Sequence, residues 1–220
     1  MDGLFVTIEG IEGAGKSTQL GLLGRACRRA GHEVVETREP GGGDRLAETL
    51  RALLKDPGIW RSLGLAEVWL YAAARAHHIE TVIQPALAGR RIVLCDRFLD
   101  STRAYQGYGR GRPLDLIEAV HALAPLALTP RRTILLDLPA RVGLARTRAR
   151  GATGDGAGYD RASPEFFDRV RAGFLEIARR EPERVRVIDA AREPGAVHRD
   201  VVGALADLVS GLVPVALDAP

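Results

Sequence analysis

One segment near the start of the chain reads Gly10-Ile11-Glu12-Gly13-Ala14-Gly15-Lys16-Ser17-Thr18. It directly follows an apolar run at 4–8 and matches the pattern G-x-x-x-x-G-K-[ST] in a strand-then-helix setting. Glycines allow backbone N–H groups to turn inward around a polyphosphate, and a helix that starts near Lys16 directs its positive end to the same place. We therefore predict that this phosphate loop binds a nucleoside triphosphate, with Lys16 as a point charge and Ser17 as a Mg²⁺ ligand.

The composition indicates one domain of ordinary size. With 220 residues, of which 46% are hydrophobic, the chain can bury a full core, and we expect one domain over 1–212 and a loose tail at 213–220. The net charge of +3 comes mostly from scattered arginines, and an aromatic content of 5% offers few surfaces on which bases could stack. This pattern favours small phosphate-bearing molecules over nucleic acid as partners.

The cysteines and the hydropathy pattern point to a compartment. Cys27 and Cys95 lie in apolar patterns without a partner at metal-ligand spacing, so we expect buried thiols in a reducing environment. No apolar run approaches the roughly 20 residues of a membrane span, and the first strand pattern follows Gly3 without a signal-peptide pattern. We therefore expect a cytoplasmic protein with no membrane partner.

Apolar runs that resemble buried strands recur along the chain and alternate with helical patterns. After the first run they lie at 34–37, 92–95, 133–136 and 185–188. Strands and helices in alternation are typical of a parallel sheet with helices on both faces, so the predicted class is α/β.

Helical periodicity predicts helices near 16–30, at 46–54, at 65–83, from Pro164, and from Pro194 to Leu212. We expect Pro85 to stop the third of these helices, and its periodicity places Trp69 on the buried face. His77 and His78 are expected to be partly exposed residues of the same helix.

A glycine-rich segment at 151–158 lies between two helical patterns and follows Arg146, Arg148 and Arg150. Such a connection is too flexible for a core, so we predict a mobile lid at about 146–161 that clamps phosphates. For any one of these arginines, a position on a solvated basic surface is the alternative.

Asp96 and Arg97 stand at the end of the apolar run that starts at Ile92. In a doubly wound sheet this end lies at the carboxyl edge, beside the phosphate loop. We therefore expect Asp96 to face Mg²⁺ and Arg97 to face an anionic substrate. An isolated Asp-Arg pair would more often be a turn or a surface ion pair.

Four segments together resemble the bacterial type of the thymidylate kinase family. They are Ile8-Glu9-Gly10-Ile11-Glu12-Gly13-Ala14-Gly15-Lys16-Ser17-Thr18, Thr37-Arg38-Glu39-Pro40-Gly41-Gly42, Asp96-Arg97-Phe98 and Ser101-Thr102-Arg103-Ala104-Tyr105-Gln106-Gly107. They keep the family's order and spacing, and the resemblance extends over nearly the whole chain. It implies a P-loop kinase fold with a five-stranded parallel sheet, a homodimer, and transfer of the γ-phosphoryl group of Mg²⁺·ATP to dTMP, which gives dTDP for DNA precursor synthesis.

The resemblance also implies how phosphates are handled. Arg38 and Arg97 would hold the acceptor phosphate, Lys16 the donor phosphates, and Arg150 or a neighbour would stabilise charge on the transferring group. Glu12 would face the sugar and the acceptor. A monophosphate acceptor is already ionised at neutral pH, so positioning and charge neutralisation suffice and no general base is required.

The resemblance places the base-binding residues on the third helix and after Asp96. Tyr71, Arg75 and His78 share one helix face by their spacing. By resemblance, Tyr71 stacks on thymine, Arg75 donates to a base carbonyl, Thr102 lies near the ring edge, and Tyr105 crowds the 2′ carbon. The implied substrate-binding set is Arg38, Tyr71, Arg75, Arg97, Ser101, Thr102, Tyr105 and Gln106.

The predicted lid is longer and richer in glycine than the compact form of the family, so the choice among Arg146, Arg148, Arg150 and Arg161 stays open. Two other classes of protein also contain a phosphate loop. Another P-loop kinase, such as a deoxynucleoside kinase, would need a carboxylate base near an acceptor hydroxyl. The other class is a regulatory switch, such as a GTPase or a partition-type ATPase. A GTPase would carry an Asn-Lys-x-Asp motif, which this sequence lacks, and a partition-type ATPase usually has an extra lysine early in its phosphate loop, where this chain has Ile11 and Glu12.

Overall fold

The computed structural model describes residues 3–60, 62–123, 125–149 and 162–217. Its centre is an all-parallel sheet with strand order β2-β3-β1-β4-β5. The strands are β1 (Leu4–Glu9), β2 (Val34–Arg38), β3 (Ile92–Asp96), β4 (Arg132–Asp137) and β5 (Val185–Asp189). Each strand contains the predicted apolar run and extends it by one or two residues, which confirms the α/β class.

Helices connect and cover the strands. The α-helices are α1 (Lys16–Arg29), α2 (Arg45–Lys55), α3 (Pro57–Trp60), α4 (Ala66–His78), α5 (Gln84–Ala88), α6 (Leu99–Thr102), α7 (Leu114–His121), α8 (Ala140–Ala149), α9 (Pro164–Arg180) and α10 (Pro194–Gly203). Two π-helical segments, Ile79–Ile83 and Arg103–Gly109, extend α4 and α6. Within the described ranges, no helix has the length and apolarity to cross a membrane.

The core lies on both faces of the sheet because side chains of the central strands alternate. Val6 and Ile8 of β1 face a cluster formed with α1, α9 and α10, whereas Phe5 faces a second cluster that contains residues of α4 and α7. Helices therefore pack on both faces, as predicted. The parallel register pairs Ile8 and Arg38 with Asp96, so the carboxyl ends of β1, β2 and β3 meet at one edge.

The prediction for the third helix was wrong in two respects. Pro85 does not stop the helical path, because it occupies the first turn of α5, where a missing N–H breaks no helical hydrogen bond. Trp69 is 53% exposed instead of buried. The inward face of α4 carries the apolar residues Val68 and Ala72, as expected, and also polar residues that have buried partners.

The prediction for the carboxyl-terminal region was also wrong. The last helix ends at Gly203, and turns rather than a helix carry Leu205 and Leu208 into the core cluster. Within the segment predicted to be a tail, Val215 is buried against Leu22, and its N–H donates to Nε2 of His198 at 3.1 Å.

Candidate active site

The phosphate loop joins β1 to α1 through backbone conformations that favour glycine. Gly10, Gly13 and Gly15 have φ angles of 142°, 78° and 89°. A Cβ on Gly13 would also collide with the backbone of Gly143 in α8, so this approach of loop and helix requires glycine. The loop ends at Lys16, the first residue of α1. The backbone N–H groups in the first turn of a helix have no partner within the helix, and in α1 they face the loop.

Lys16 is 9% exposed, and its Nζ donates to the carbonyl of Ile11 at 3.1 Å. Burial and the neighbouring Arg97 guanidinium lower the pKa of its ammonium group, although Asp96 and Glu12 act in the opposite direction. A phosphate anion in reach of Lys16 would favour the charged form of its ammonium group.

One cavity of about 620 Å³ opens beside this loop. It is lined by most of the predicted site residues, namely Glu12, Gly13, Gly15, Lys16, Ser17, Thr18, Arg38, Tyr71, Arg75, Asp96, Arg97, Ser101, Thr102, Tyr105 and Gln106. Among the described residues, Gly10, Ile11, Ala14, Arg146 and Arg148 do not line it. The predictions for Arg150, Arg161 and the glycine-rich segment at 151–158 lie outside the described residues.

Arg97 lies at the centre of the charged part of the cavity. Its φ of 71° is left-handed, which is uncommon for a residue other than glycine and places strain at this position. Its Nη2 donates to Glu12 Oε1 and to the Tyr105 hydroxyl, both at 3.1 Å. Tyr105 in turn donates to Glu12 Oε2 at 2.6 Å. Burial disfavours the charged form of Arg97, but Tyr105 and Glu12 outweigh it and raise the pKa of the guanidinium.

Ser17 and Asp96 offer oxygen atoms at the edge where β3 ends. Ser17 Oγ donates to Asp96 Oδ2 at 3.3 Å, and Asp96 Oδ1 is buried without a hydrogen-bond partner among the described residues. Buried polar atoms are normally satisfied, so an oxygen of this kind fits a cation. A hydroxyl and a carboxylate are the ligand types that Mg²⁺ takes beside substrate phosphates.

Arg38 also lines the cavity, and it is positioned by a residue that the sequence did not single out. Its Nη2 donates to both carboxylate oxygens of Glu48, at 3.0 and 3.1 Å. Glu48 also accepts the N–H of Gly42 at 2.9 Å, and this hydrogen bond and Arg38 together lower the pKa of its carboxyl group.

The inward face of α4 carries a buried polar network. Arg75 donates from Nε to Glu39 Oε2 at 2.7 Å and from Nη2 to Thr102 Oγ1 at 3.0 Å. His78 Nδ1 lies 3.0 Å from the other oxygen of Glu39. The expectation that His78 is partly exposed was wrong, because its side chain is fully buried among these partners. His77 is 21% exposed, as expected.

Seven cavity-lining residues were not predicted: Glu39, Pro40, Arg51, Leu54, Lys55, Phe98 and Thr147. Three of them, Glu39, Pro40 and Phe98, stand inside or beside the quoted segments, and their neighbours could have indicated them. Arg51, Leu54 and Lys55 belong to α2, whose sequence carries only ordinary helical periodicity.

Comparisons with known proteins agree with this arrangement. A family model described as thymidylate kinase matches residues 8–201. The thymidylate kinase of Geobacter sulfurreducens is 50% identical over 85% of this chain and 89% of its own length, and that of Caulobacter vibrioides is 48% identical over 94% and 96%. The crystal structure of thymidylate kinase from Ehrlichia chaffeensis superposes with a TM-score of 0.71 at 34% identity, covering 93% of this chain and 99% of the other. The chain belongs to the thymidylate kinase family.

Proposed function

We propose that this chain transfers the γ-phosphoryl group of ATP to the 5′-phosphate of dTMP, giving dTDP and ADP. The observation that carries the proposal is that one cavity is lined both by Lys16 and Ser17 of the phosphate loop and by Tyr71 and Arg75 of α4. A donor triphosphate and an acceptor nucleotide can therefore meet in one enclosed space.

Positive charge in the cavity supports direct transfer between two phosphates. We assign Lys16 to the donor phosphates, and Arg38 and Arg97 to the acceptor phosphate. The acceptor oxygen is already ionised, so these groups act by holding the two reactants in line and neutralising charge on the transferring group.

Glu12 and Tyr105 are proposed to fix Arg97 in position. Their hydrogen bonds to its Nη2, both 3.1 Å, direct the guanidinium into the cavity. Glu12 then faces the sugar and acceptor side of the site. The Tyr105 ring is assigned to the space beside the 2′ carbon, where it would exclude a ribonucleotide by contact.

Mg²⁺ fits the pair of oxygen atoms on Ser17 and Asp96. We propose that these two residues hold it, because Asp96 Oδ1 is buried without a partner in the described part of the chain. Bound there, Mg²⁺ would neutralise charge on the phosphate oxygens.

The base site is assigned to α4 and to the segment after β3. Tyr71 would stack on thymine, and Arg75 would donate to a base carbonyl. Thr102 Oγ1 accepts a hydrogen bond from Arg75 at 3.0 Å, and Thr102 would contact the edge of the thymine ring. Ser101 and Gln106 complete the acceptor side.

ATP is assigned to the backbone and side chains of 10–18 and to arginines of helix α8 and of the predicted lid. Arg146 Nη1 lies 3.5 Å from the carbonyl of Gly13, which supports a role beside the loop, whereas Arg148 is exposed. Arg150 remains our candidate for stabilising charge on the transferring phosphoryl group.

We further propose a homodimer in the cytoplasm that acts on small molecules and not on nucleic acid. Leu65 and Trp69 are exposed by 49% and 53% and lie one helical turn apart, which supports an apolar contact surface. Cys27 and Cys95 are free and buried, as is typical of proteins from a reducing compartment.

The test separates a nucleotide kinase from a nucleoside kinase. Purified protein with Mg²⁺·ATP is given thymidine or dTMP, and products are separated by ion-exchange chromatography. We expect dTDP from dTMP and no dTMP from thymidine. The carboxylates of the cavity support this, because Glu12, Glu39 and Asp96 already bind Arg97, Arg75 and Ser17. Phosphorylation of thymidine alone would overturn the proposal.

A further inference from the structure

Arg75 is enclosed so completely that its guanidinium has one orientation. It is 2% exposed, and its carbon Cζ lies 4.9 Å from the centre of the Phe98 ring. Nε donates to Glu39 and Nη2 to Thr102, while Nη1 is in close contact with Nε2 of His121. A guanidinium has five N–H groups, so these three contacts leave one N–H on each Nη for a ligand in the cavity that Arg75 lines.

His121, the last residue of α7, supplies the contact that no sequence pattern indicated. Its ring is 3% exposed, and Nδ1 lies 2.7 Å from the carbonyl oxygen of Ile117. A carbonyl only accepts, so Nδ1 carries the proton and donates it, which leaves Nε2 of the neutral ring with a lone pair. Nε2 therefore accepts an N–H of Arg75.

The surroundings keep this ring neutral. Burial and the Arg75 charge lower the pKa of His121 to about 4, and Arg103 contributes in the same direction, while the Ile117 carbonyl and Glu39 oppose it. A protonated ring would turn an N–H toward the N–H groups of Arg75, so two donors would meet in a buried space. His121 does not line the cavity, so its influence on a substrate passes through Arg75.

We propose that neutral His121 is a positioning residue that directs the remaining N–H groups of Arg75 at a base carbonyl and thereby sets the preference for thymine over cytosine. The inference rests on the proposed function. Thymine carries the carbonyl oxygen O4 where cytosine carries an amino group. Arg75 offers only donors, so it pairs with the carbonyl and leaves the amino group without an acceptor.

Two substitutions of His121 form a matched pair for the kinetic test. His121→Leu removes the acceptor, whereas the amide oxygen of His121→Gln can replace Nε2. We expect His121→Leu to raise the KM for dTMP and to reduce the ratio of kcat/KM for dTMP over dCMP by about tenfold or more, with the KM for ATP changed less than about twofold. His121→Gln should recover most of the ratio. A folded His121→Leu enzyme with the wild-type ratio would overturn the inference.

Nitrogen NMR tests the same inference on the wild-type protein and does not depend on the fold of His121→Leu. The His121 signals, identified by their loss in His121→Gln, should report a protonated Nδ1 and an unprotonated Nε2, with no titration between about pH 5.5 and 8.5. A protonated Nε2, or a midpoint near the usual value of about 6.5, would overturn it. Wild-type protein without dTMP kinase activity would overturn the proposed function itself, whereas normal wild-type turnover with an unchanged ratio in His121→Leu would overturn this inference alone.

Discussion

Glu9, at the end of β1, anchors the turn that carries Arg97. Its carboxyl group accepts the N–H of Phe98 at 2.7 Å, the N–H of Ser101 at 3.3 Å and the Ser101 hydroxyl at 2.6 Å. These contacts hold the segment that directly follows the left-handed residue Arg97. Burial is the main cause that raises the pKa of Glu9 to about 7, and the nearby Asp100 charge adds to it.

Glu9 should make stability depend on pH in a direction opposite to that of a surface carboxylate. The unfolded chain releases this proton near its usual pKa of 4.5, and the folded protein only near 7, so the contribution of Glu9 to the free energy of unfolding falls as pH rises between those values. The fall is on the order of 3 kcal/mol. Urea denaturation at about pH 5 and pH 8 measures it.

Glu9→Gln is the control for this prediction, since its amide keeps the hydrogen bonds of a protonated carboxyl without a titrating proton. We expect wild-type protein to lose stability relative to Glu9→Gln between the two pH values. A constant difference in the free energy of unfolding would show that Glu9 does not titrate in this range.

Predictability from the sequence differs among the site residues for a physical reason. Lys16 and Asp96 were predictable because a short motif and a strand end fix where they lie. Glu39 and His121 were not assigned roles, because their function depends on contacts with Arg75, which is 36 and 46 residues away in sequence. No local pattern records such a contact.

At the scale of elements, α4 illustrates where apolar periodicity succeeds and where it fails, because Val68 and Ala72 are buried as expected. Its inward face carries Glu67, Arg75 and His78, each almost fully buried and bonded to partners on other elements, while Trp69 faces outward. Periodicity assigns apolar residues to the buried face, because polar residues are normally buried only when they are paired. Glu67, Arg75 and His78 are paired with residues distant in the sequence, so the pattern of α4 alone does not indicate that they are buried.

Helix α8 provides a prediction at this scale. Arg146 donates to the carbonyls of Ala190 at 3.0 Å and Ala191 at 3.4 Å, so it links α8 to the segment after β5 beside the phosphate loop. We expect Arg146→Ala to raise the KM for ATP by about tenfold while changing the KM for dTMP little. Arg148→Ala is the matched control, since Arg148 is exposed, and should stay within about twofold. Equal effects of the two substitutions would contradict the assignment.

At the scale of the whole molecule, the parallel sheet was predictable from the sequence, whereas contacts between distant segments were not. Central parallel strands are buried on both faces and are therefore read as continuous apolar runs, as in β1, where all six residues are buried. The packing of Val215 was not predicted, because it packs with Leu22 and Ala26, which lie almost two hundred positions earlier in the chain. Local sequence at the tail carries no sign of that contact.

Assembly is a prediction for the whole molecule. If Leu65 and Trp69 form part of a homodimer surface, Trp69→Glu should convert dimer to monomer in sedimentation velocity experiments, because an ionised side chain would be buried without a partner. Val187→Glu is the matched control, since Val187 is 49% exposed on the edge strand β5. A monomeric wild-type protein, or a Trp69→Glu dimer of unchanged stability, would contradict the prediction.

The central claim is that one cavity unites ATP with dTMP and selects that acceptor. The most direct measurement is kcat/KM of the purified protein with Mg²⁺·ATP against dTMP, dCMP, dAMP and dGMP, with ADP formation as the readout. The account predicts that dTMP gives the highest value, since Arg75 donates to a carbonyl and Tyr71 stacks on the ring. A preference for the cytosine, adenine or guanine nucleotide would contradict it.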